Sequence, residues 1–272
     1  MIVWSTPIVQ HRAHSNSSII GVKRDDLAGI PPMPPFSKCR GMVLAAEGAV
    51  SKGAKSLGTV ITYASYRGTA LAAWCLDNNI PCFIFYGKYK HEDISPVTLD
   101  SVLELGVDVI PVPAGRYGVM VGRAKKLMPR GGIVLSHGNT DRFMVESQYI
   151  EASLTIASYP KYRTGSWVFP TATGLSAAGA IKAIVDLGLD IQPILYLVGD
   201  SKVDKVLNLI VKHSGIDKMR LKYIRHSQNL DEPMLCDVPF PCNIYYDTKA
   251  WEYVCDSYNE LHKPVLFWNA GA

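Results

Sequence analysis

The sequence has no C-x-x-C pair. Its six cysteines, Cys39, Cys75, Cys82, Cys236, Cys242 and Cys255, are scattered. That spacing argues against a zinc site or a disulfide scaffold and for reduced thiols in a cytoplasmic setting. No run reaches the roughly 18 apolar residues that a membrane-crossing helix needs, so no membrane association is expected. The opening MIVWSTPIVQHRAHSN lacks a basic segment followed by a long apolar one, so no secretory leader is expected either. Neither sign of charge is in large excess: 28 Lys and Arg face 24 Asp and Glu, a net +4. This permits an anionic partner without demanding one. There is no internal repeat and no low-complexity linker. What remains is an ordinary globular composition, 48% hydrophobic and 19% charged over 272 residues.

Short apolar runs alternate with helical patterns. Strands are expected at 58–64, 80–87, 107–113, 131–138, 165–171, 192–199 and 264–271. Helices are expected at 67–78, 99–106, 116–128, 174–188, 202–214 and 247–262. Strands apolar throughout and separated by helices predict an α/β fold, with parallel sheets covered on both faces. In such sheets ligands bind at the carboxyl ends of the strands. Three loops at such positions are unusual: TYASYRGTA (62–70), FPTATGLSAAG (169–179) and IYYDTKA (244–250).

PTATGLSAAG sets small residues and hydroxyls where a strand becomes a helix. Backbone N–H groups there can cradle a phosphate, with Thr173 and Ser176 as further donors. The loop is neither a G-K-[ST] phosphate loop nor a G-x-G-x-x-G turn. The same small residues would also let helix and strand pack closely. Lys38 lies just ahead of an apolar helical run, behind a proline-rich loop (28–37). A cation there opposes the helix dipole, and the simplest account of it is a solvated lysine. Asp247 before TKAWEYV suits a helix N-cap.

Together these segments resemble the fold type II (tryptophan-synthase-like) family of pyridoxal-phosphate enzymes, which includes aminocyclopropane-carboxylate (ACC) deaminase. TPIV…IIGVKRDDL (6–27) is similar to the family's opening, and FSKCRG (36–41) to its lysine motif. The resemblance makes Lys38 the Schiff-base lysine. At the family's cofactor-ring loop stand Ser65, Tyr66 and Arg67. Ser65 matches the deaminase branch, Tyr66 replaces an asparagine that bonds the ring hydroxyl, and Arg67 is suited to a substrate carboxylate or phosphate. Thr171, Ala172, Thr173, Gly174, Leu175 and Ser176 match the phosphate cup, with Ala172 and Leu175 in place of glycines. YYDTKAW matches the branch in which a carboxylate faces the ring nitrogen. It implies Asp247 in that role and Tyr246 as a catalytic tyrosine. Asn269 and Ala270 replace a His-Thr pair.

The resemblance further implies two domains, a larger cofactor-binding one (1–47 with 150–272) and a smaller α/β one (48–149). It implies pyridoxal phosphate as cofactor, a homodimer, and lyase chemistry at Cα of an amino-acid group. Compact size, diverged loops and the acid at the ring nitrogen resemble the small phage enzymes that decarboxylate a glycyl group carried by thymidine in DNA. Host cytoplasm would be their location. Basic stretches at 115–132, 159–165 and 218–226, the second interleaved with Tyr159 and Tyr162, suit DNA or a solvated surface. The alternatives are a deaminase, dehydratase or desulfhydrase of a free small amino acid, and a non-catalytic binding protein.

Overall fold

The computed structural model describes residues 1–13, 18–62, 65–88, 98–198, 203–226 and 232–271. Parts of the expected 58–64 and 192–199 strands and of the 202–214 helix, namely Tyr63, Ala64, Gly199 and Lys202, lie outside these. The chain opens with β1 (Ile8–Arg12), β2 (Ile19–Arg24), α1 (Cys39–Val50), β3 (Ser56–Ile61) and α2 (Arg67–Asp77). It continues through β4 (Cys82–Lys88), α3 (Leu99–Leu103), β5 (Asp108–Pro113), α4 (Tyr117–Leu127), β6 (Gly132–Leu135) and α5 (Asp141–Ser158). It closes with β7 (Thr164–Thr171), α6 (Leu175–Asp186), β8 (Asp190–Leu197), α7 (Val203–Ser214), β9 (Lys222–Arg225), α8 (Asp247–Asp256) and β10 (Val265–Asn269).

The chain divides into two compact units. The smaller holds Met1–Ile2, Gly29–Pro34 and Lys38–Phe143; the larger holds Val3–Ala28, Pro35–Ser37 and Met144–Ala272. The smaller unit's sheet is fully parallel, in the order β5-β4-β3-β6. Every residue of its central strand β3 is buried, as a sheet covered on both faces requires. The larger unit's sheet runs β1-β2-β10-β7-β8-β9. Here the all-parallel expectation is corrected at one edge, because β1 pairs with β2 antiparallel. An edge strand with one face toward water can be joined to its neighbour by a short connection, whereas a parallel pair needs a crossover. Trp251, Phe240 and Phe267 centre the larger unit's core, with ring centroids 5.0 to 5.9 Å apart.

α5 was not expected from the sequence. Its buried side includes Ser147, Gln148, Glu151 and Thr155 beside Met144, Val145, Ala152 and Ile156. Polar residues on the inner face erase the apolar period by which a helix is recognised. α5 also explains Gly179 on α6. A Cβ there would lie 2.2 Å from the Val145 carbonyl oxygen and 2.7 Å from Gln148 Cβ. Gly179→Ala is therefore expected to destabilise the protein by about 1–3 kcal/mol, a backbone clash outweighing the gain of about 1 kcal/mol in helix propensity. A thermal melt of the variant checks this.

Candidate active site

The sequence-predicted residues lie at the starts of helices in both units; 62–70 and 169–179 follow β3 and β7 as expected, whereas 244–250 follows no strand directly. In the smaller unit, Lys38 immediately precedes α1 and is half-buried; its carbonyl accepts the Met42 N–H at 3.1 Å. Ser65 and Tyr66 are half-buried ahead of α2, and the Ser65 carbonyl accepts from Thr98 Oγ1 at 3.1 Å.

Arg67 opens α2 and is only 5% exposed. Its Nη2 donates to Thr140 Oγ1. Its Nη1 lies 2.8 Å from His137 Nδ1 and 3.2 Å from His137 Nε2. Its Nε is buried with no hydrogen-bond partner among the described residues. His137 and Thr140 belong to the loop after β6, a segment sequence reasoning missed. That loop is tied by its own bonds: Asn139 Oδ1 accepts the Ser136 N–H at 2.7 Å, and Asn139 Nδ2 donates to the Val134 carbonyl at 2.9 Å. Tyr117, at the start of α4, packs against His137 with ring centroids 4.7 Å apart and the planes tilted by 58°.

His137 is exposed as a residue, yet its ring nitrogens face the guanidinium. Desolvation of that inner edge and the Arg67 charge push its pKa down to about 4; Asp141 opposes this and Lys38 adds to it. Burial pushes the Arg67 guanidinium down as well. The folded state thus refuses a proton that the unfolded chain accepts near pH 6.5, so this site's contribution to stability falls as pH drops from about 6.5 to about 4. Arg67→Gln removes the second cause and leaves the first. The His137 midpoint, read from its ring protons by NMR, is expected to move part of the way back toward 6.5.

In the larger unit, Thr171 ends β7 and Gly174 precedes α6 at φ +89°. A Cβ on Gly174 would also lie 3.1 Å from Val206 and 3.2 Å from Ile210. Leu175 is buried, Ala172 half-buried and Thr173 exposed, and the Thr171 hydroxyl donates to the Phe169 carbonyl at 2.8 Å. No side chain caps the first turn of α6, and Ser176 Oγ is buried with no hydrogen-bond partner among the described residues. Uncapped amides beside an unpartnered hydroxyl fit a phosphate group.

Asp247 is fully buried at the first position of α8. Its Oδ2 accepts the Asn243 N–H and its Oδ1 the Ala270 N–H, each at 3.2 Å. The N-cap expectation is thereby corrected. Tyr246 is the cap residue, and no side chain caps the helix. The carboxylate instead ties the start of α8 to the end of β10. Tyr246 is half-buried, packed against the larger unit's core. Next to Asp247, desolvation pushes the Cys242 thiol up to about 12, so it is no thiolate nucleophile at neutral pH. Asn269 donates to Asp26 Oδ1 and to the Pro241 carbonyl, both at 2.9 Å.

The interleaved tyrosines at 159–165 are corrected as a base-stacking surface. Tyr162 is buried beneath Gly21, and the Tyr159 hydroxyl accepts the Ile8 N–H at 3.3 Å. By contrast, Arg116, Lys125, Lys126 and Arg130, along and beside α4, are exposed. Among the described residues no helix is long and apolar enough to cross a membrane.

No family model matches the chain. A curated glycyl-dTMP PLP-dependent decarboxylase of Pseudomonas phage M6 is 28% identical over 288 aligned residues, covering all of both chains. Among solved structures, an ACC deaminase homologue superposes with a TM-score of 0.76 at 20% identity, covering 99% of this chain and 90% of that one. A hydrogen sulfide-producing enzyme of Fusobacterium nucleatum gives a TM-score of 0.70 at 14% identity, covering 98% of this chain and 95% of that one. A pyridoxal 5'-phosphate-dependent aspartate racemase gives 0.68 at 16% identity, covering 99% and 90%. The fold is the fold type II architecture expected from the sequence.

Proposed function

We propose that this chain is a pyridoxal-phosphate-dependent decarboxylase whose substrate is a thymidine nucleotide bearing a glycyl group on its methyl carbon. The observation that carries this reading is the likeness to the phage glycyl-dTMP decarboxylase, which runs the full length of both chains. The unpartnered Ser176 hydroxyl at the uncapped start of α6 supports a phosphate-bearing cofactor.

In this reading Lys38 Nζ carries the cofactor. The first-turn amides of α6 and Ser176 Oγ, with Thr171, Ala172, Thr173, Gly174 and Leu175 forming the loop, hold its phosphate. Asp247 would face its ring nitrogen and Tyr66 its ring hydroxyl, as the family resemblance implies. Bound pyridoxal phosphate supplies an electron sink for the pair left on Cα when a neighbouring bond breaks. The net change is loss of CO2 and gain of one proton at Cα, which leaves an aminoethyl group on the base. Lys38 Nζ, or the hydroxyl of Tyr66 or Tyr246, delivers that proton, and Ser65 orients the substrate. Buried Asp247 keeps its geometry through its backbone bonds, so it needs no reorganisation as charge moves.

Where the base is part of DNA, exposed Arg116, Lys125, Lys126 and Arg130 supply phosphate contacts, and binding weakens steeply with salt. A second reading is lyase action on a free small amino acid. It draws support from the fold shared with the ACC deaminase homologue. Incubation of the cofactor-loaded protein with glycyl-dTMP, and separately with free amino acids, decides between them. CO2 release with matching mass loss from the nucleotide supports the first. Ammonia or sulfide from free amino acids, with the nucleotide untouched, replaces it with the second.

A further inference from the structure

Arg67 is a buried cation without a matching anion. Its guanidinium is 5% exposed and forms no ion pair with a carboxylate among the described residues. It feels the charges of Tyr117 and Asp141, and Asp141 has Oδ1 buried with no hydrogen-bond partner among the described residues. Arg67 and Asp141 therefore do not neutralise each other by direct bonding through that oxygen. A buried charge left in this state is expensive unless something outside the chain completes it.

The partners Arg67 does have are weak and replaceable. Both nitrogens of His137 sit on the same Nη1, at 2.8 and 3.2 Å. A neutral imidazole has one acceptor nitrogen; its other nitrogen carries a hydrogen, turned here toward a donor. His137, Gly138 and Asn139 are all exposed, so the cover over the guanidinium is a surface loop and not the core. Besides the imidazole, the guanidinium bonds one neutral hydroxyl, Thr140 Oγ1, whose own hydrogen goes to the Ser136 carbonyl at 3.0 Å. A buried guanidinium beneath an exposed loop, with no carboxylate bonded to it among the described residues, makes an anion site.

The proposed substrate carries two anions, and the chemistry selects between them. The glycyl carboxylate gives up its charge as CO2 departs. A guanidinium bonded to it would stabilise the ground state more than the transition state and so slow the reaction. A phosphate keeps its charge from binding to release, and binding it lowers KM without opposing the chemical step. We infer that Arg67 binds the non-reacting phosphate of a nucleotide substrate. This rests on the decarboxylase reading for the choice between the two anions.

The test is calorimetric titration of the cofactor-loaded protein with thymidine and with dTMP, for wild type, Arg67→Gln and Arg67→Lys. Wild type is expected to bind dTMP at least about tenfold more tightly than thymidine, one charge-assisted bidentate contact. Arg67→Gln should bring the two within about twofold, and Arg67→Lys, a point charge without the fork, should keep part of the gap. The thermal midpoint of Arg67→Gln should stay level or rise, because an uncompensated charge has been removed; a clear fall would make Arg67 a structural residue. A short oligothymidylate, titrated at two salt concentrations, tells a free nucleotide's phosphate from that of DNA. Equal binding of thymidine and dTMP by wild type, or binding of neither, overturns the proposal. So does a result in which Arg67→Gln loses free alanine but not dTMP. If glycyl-dTMP releases no CO2 while the phosphate preference persists and depends on Arg67, the decarboxylase reading fails and this site stands.

Discussion

Lys38→Ala is expected to abolish the visible absorption that pyridoxal phosphate acquires on a protein lysine, and to cut turnover by at least about 10³-fold, some 4 kcal/mol of barrier. The expectation follows from placement as well as from motif. Lys38 sits between two fully buried stretches, Phe36–Ser37 and Cys39–Arg40, yet is itself half-buried. The backbone that holds it is fixed on both sides. Ser37 N–H donates to the Ala270 carbonyl at 2.9 Å, and Met42 N–H donates to the Lys38 carbonyl at 3.1 Å. An amine on so constrained a backbone pays little ordering entropy on reacting with an aldehyde. Lys38 is half-buried and lies outside the apolar core, so far-ultraviolet circular dichroism of the alanine variant should match wild type. Lys38→Arg is the informative partner. It keeps a cation but cannot condense with the aldehyde, so it too should lack the band. A band that persists in either variant would remove Lys38 from the role.

Glu151→Ala should be the most destabilising single change named here, at about 3–5 kcal/mol. For a chain of this size that is a fall of roughly 6–20 °C in melting temperature. Lys23 and Glu151 are both fully buried and form a direct ion pair. Asp25 lies 3.8 Å from the same ammonium, and Thr6 accepts from it through carbonyl and hydroxyl. Thr6 N–H in turn donates to Glu151 Oε1 at 3.1 Å, and Trp268 Nε1 donates to Asp25 Oδ2 at 3.1 Å. β1's approach, β2, α5 and β10 are thus joined through one desolvated network. Removing Glu151 strands a buried ammonium on the remaining acid. The double variant Lys23→Met/Glu151→Leu should recover most of the loss, since two apolar side chains need no desolvation. Melts of the cofactor-free forms separate this effect from ligand stabilisation. If Glu151→Ala matches the double variant, the network has no such energy.

That network also shows where reading the chain residue by residue stops. K-R-D-D (23–26) was legible as a family motif but gave no reason for its residues. The reason is tertiary: Lys23 meets Glu151 on a helix more than a hundred residues away, Asp25 accepts from Trp268, and Asp26 meets Arg24 and Asn269. Likewise, Arg67 stood out at its loop. Its partners His137 and Thr140 carried no local signal, because SHGNTD reads as an ordinary turn.

The amino-acid sequence by itself determined the alternation of strands and helices, the α/β class and the loops at which chemistry was expected. Those features are local: burial of both sheet faces makes each parallel strand apolar from end to end, and a helix start shows its phosphate-binding potential in four or five residues. Only the tertiary structure decided that β1 runs antiparallel, that α5 buries its polar side, and that Asp247 bonds Ala270 instead of capping α8. It alone decided that Arg67 is enclosed with no carboxylate bonded to it among the described residues. Each of these depends on which distant group supplies the missing hydrogen bond or charge. That is settled by packing across the fold, where desolvation makes every unpaired polar atom costly, and not by any stretch of chain in isolation.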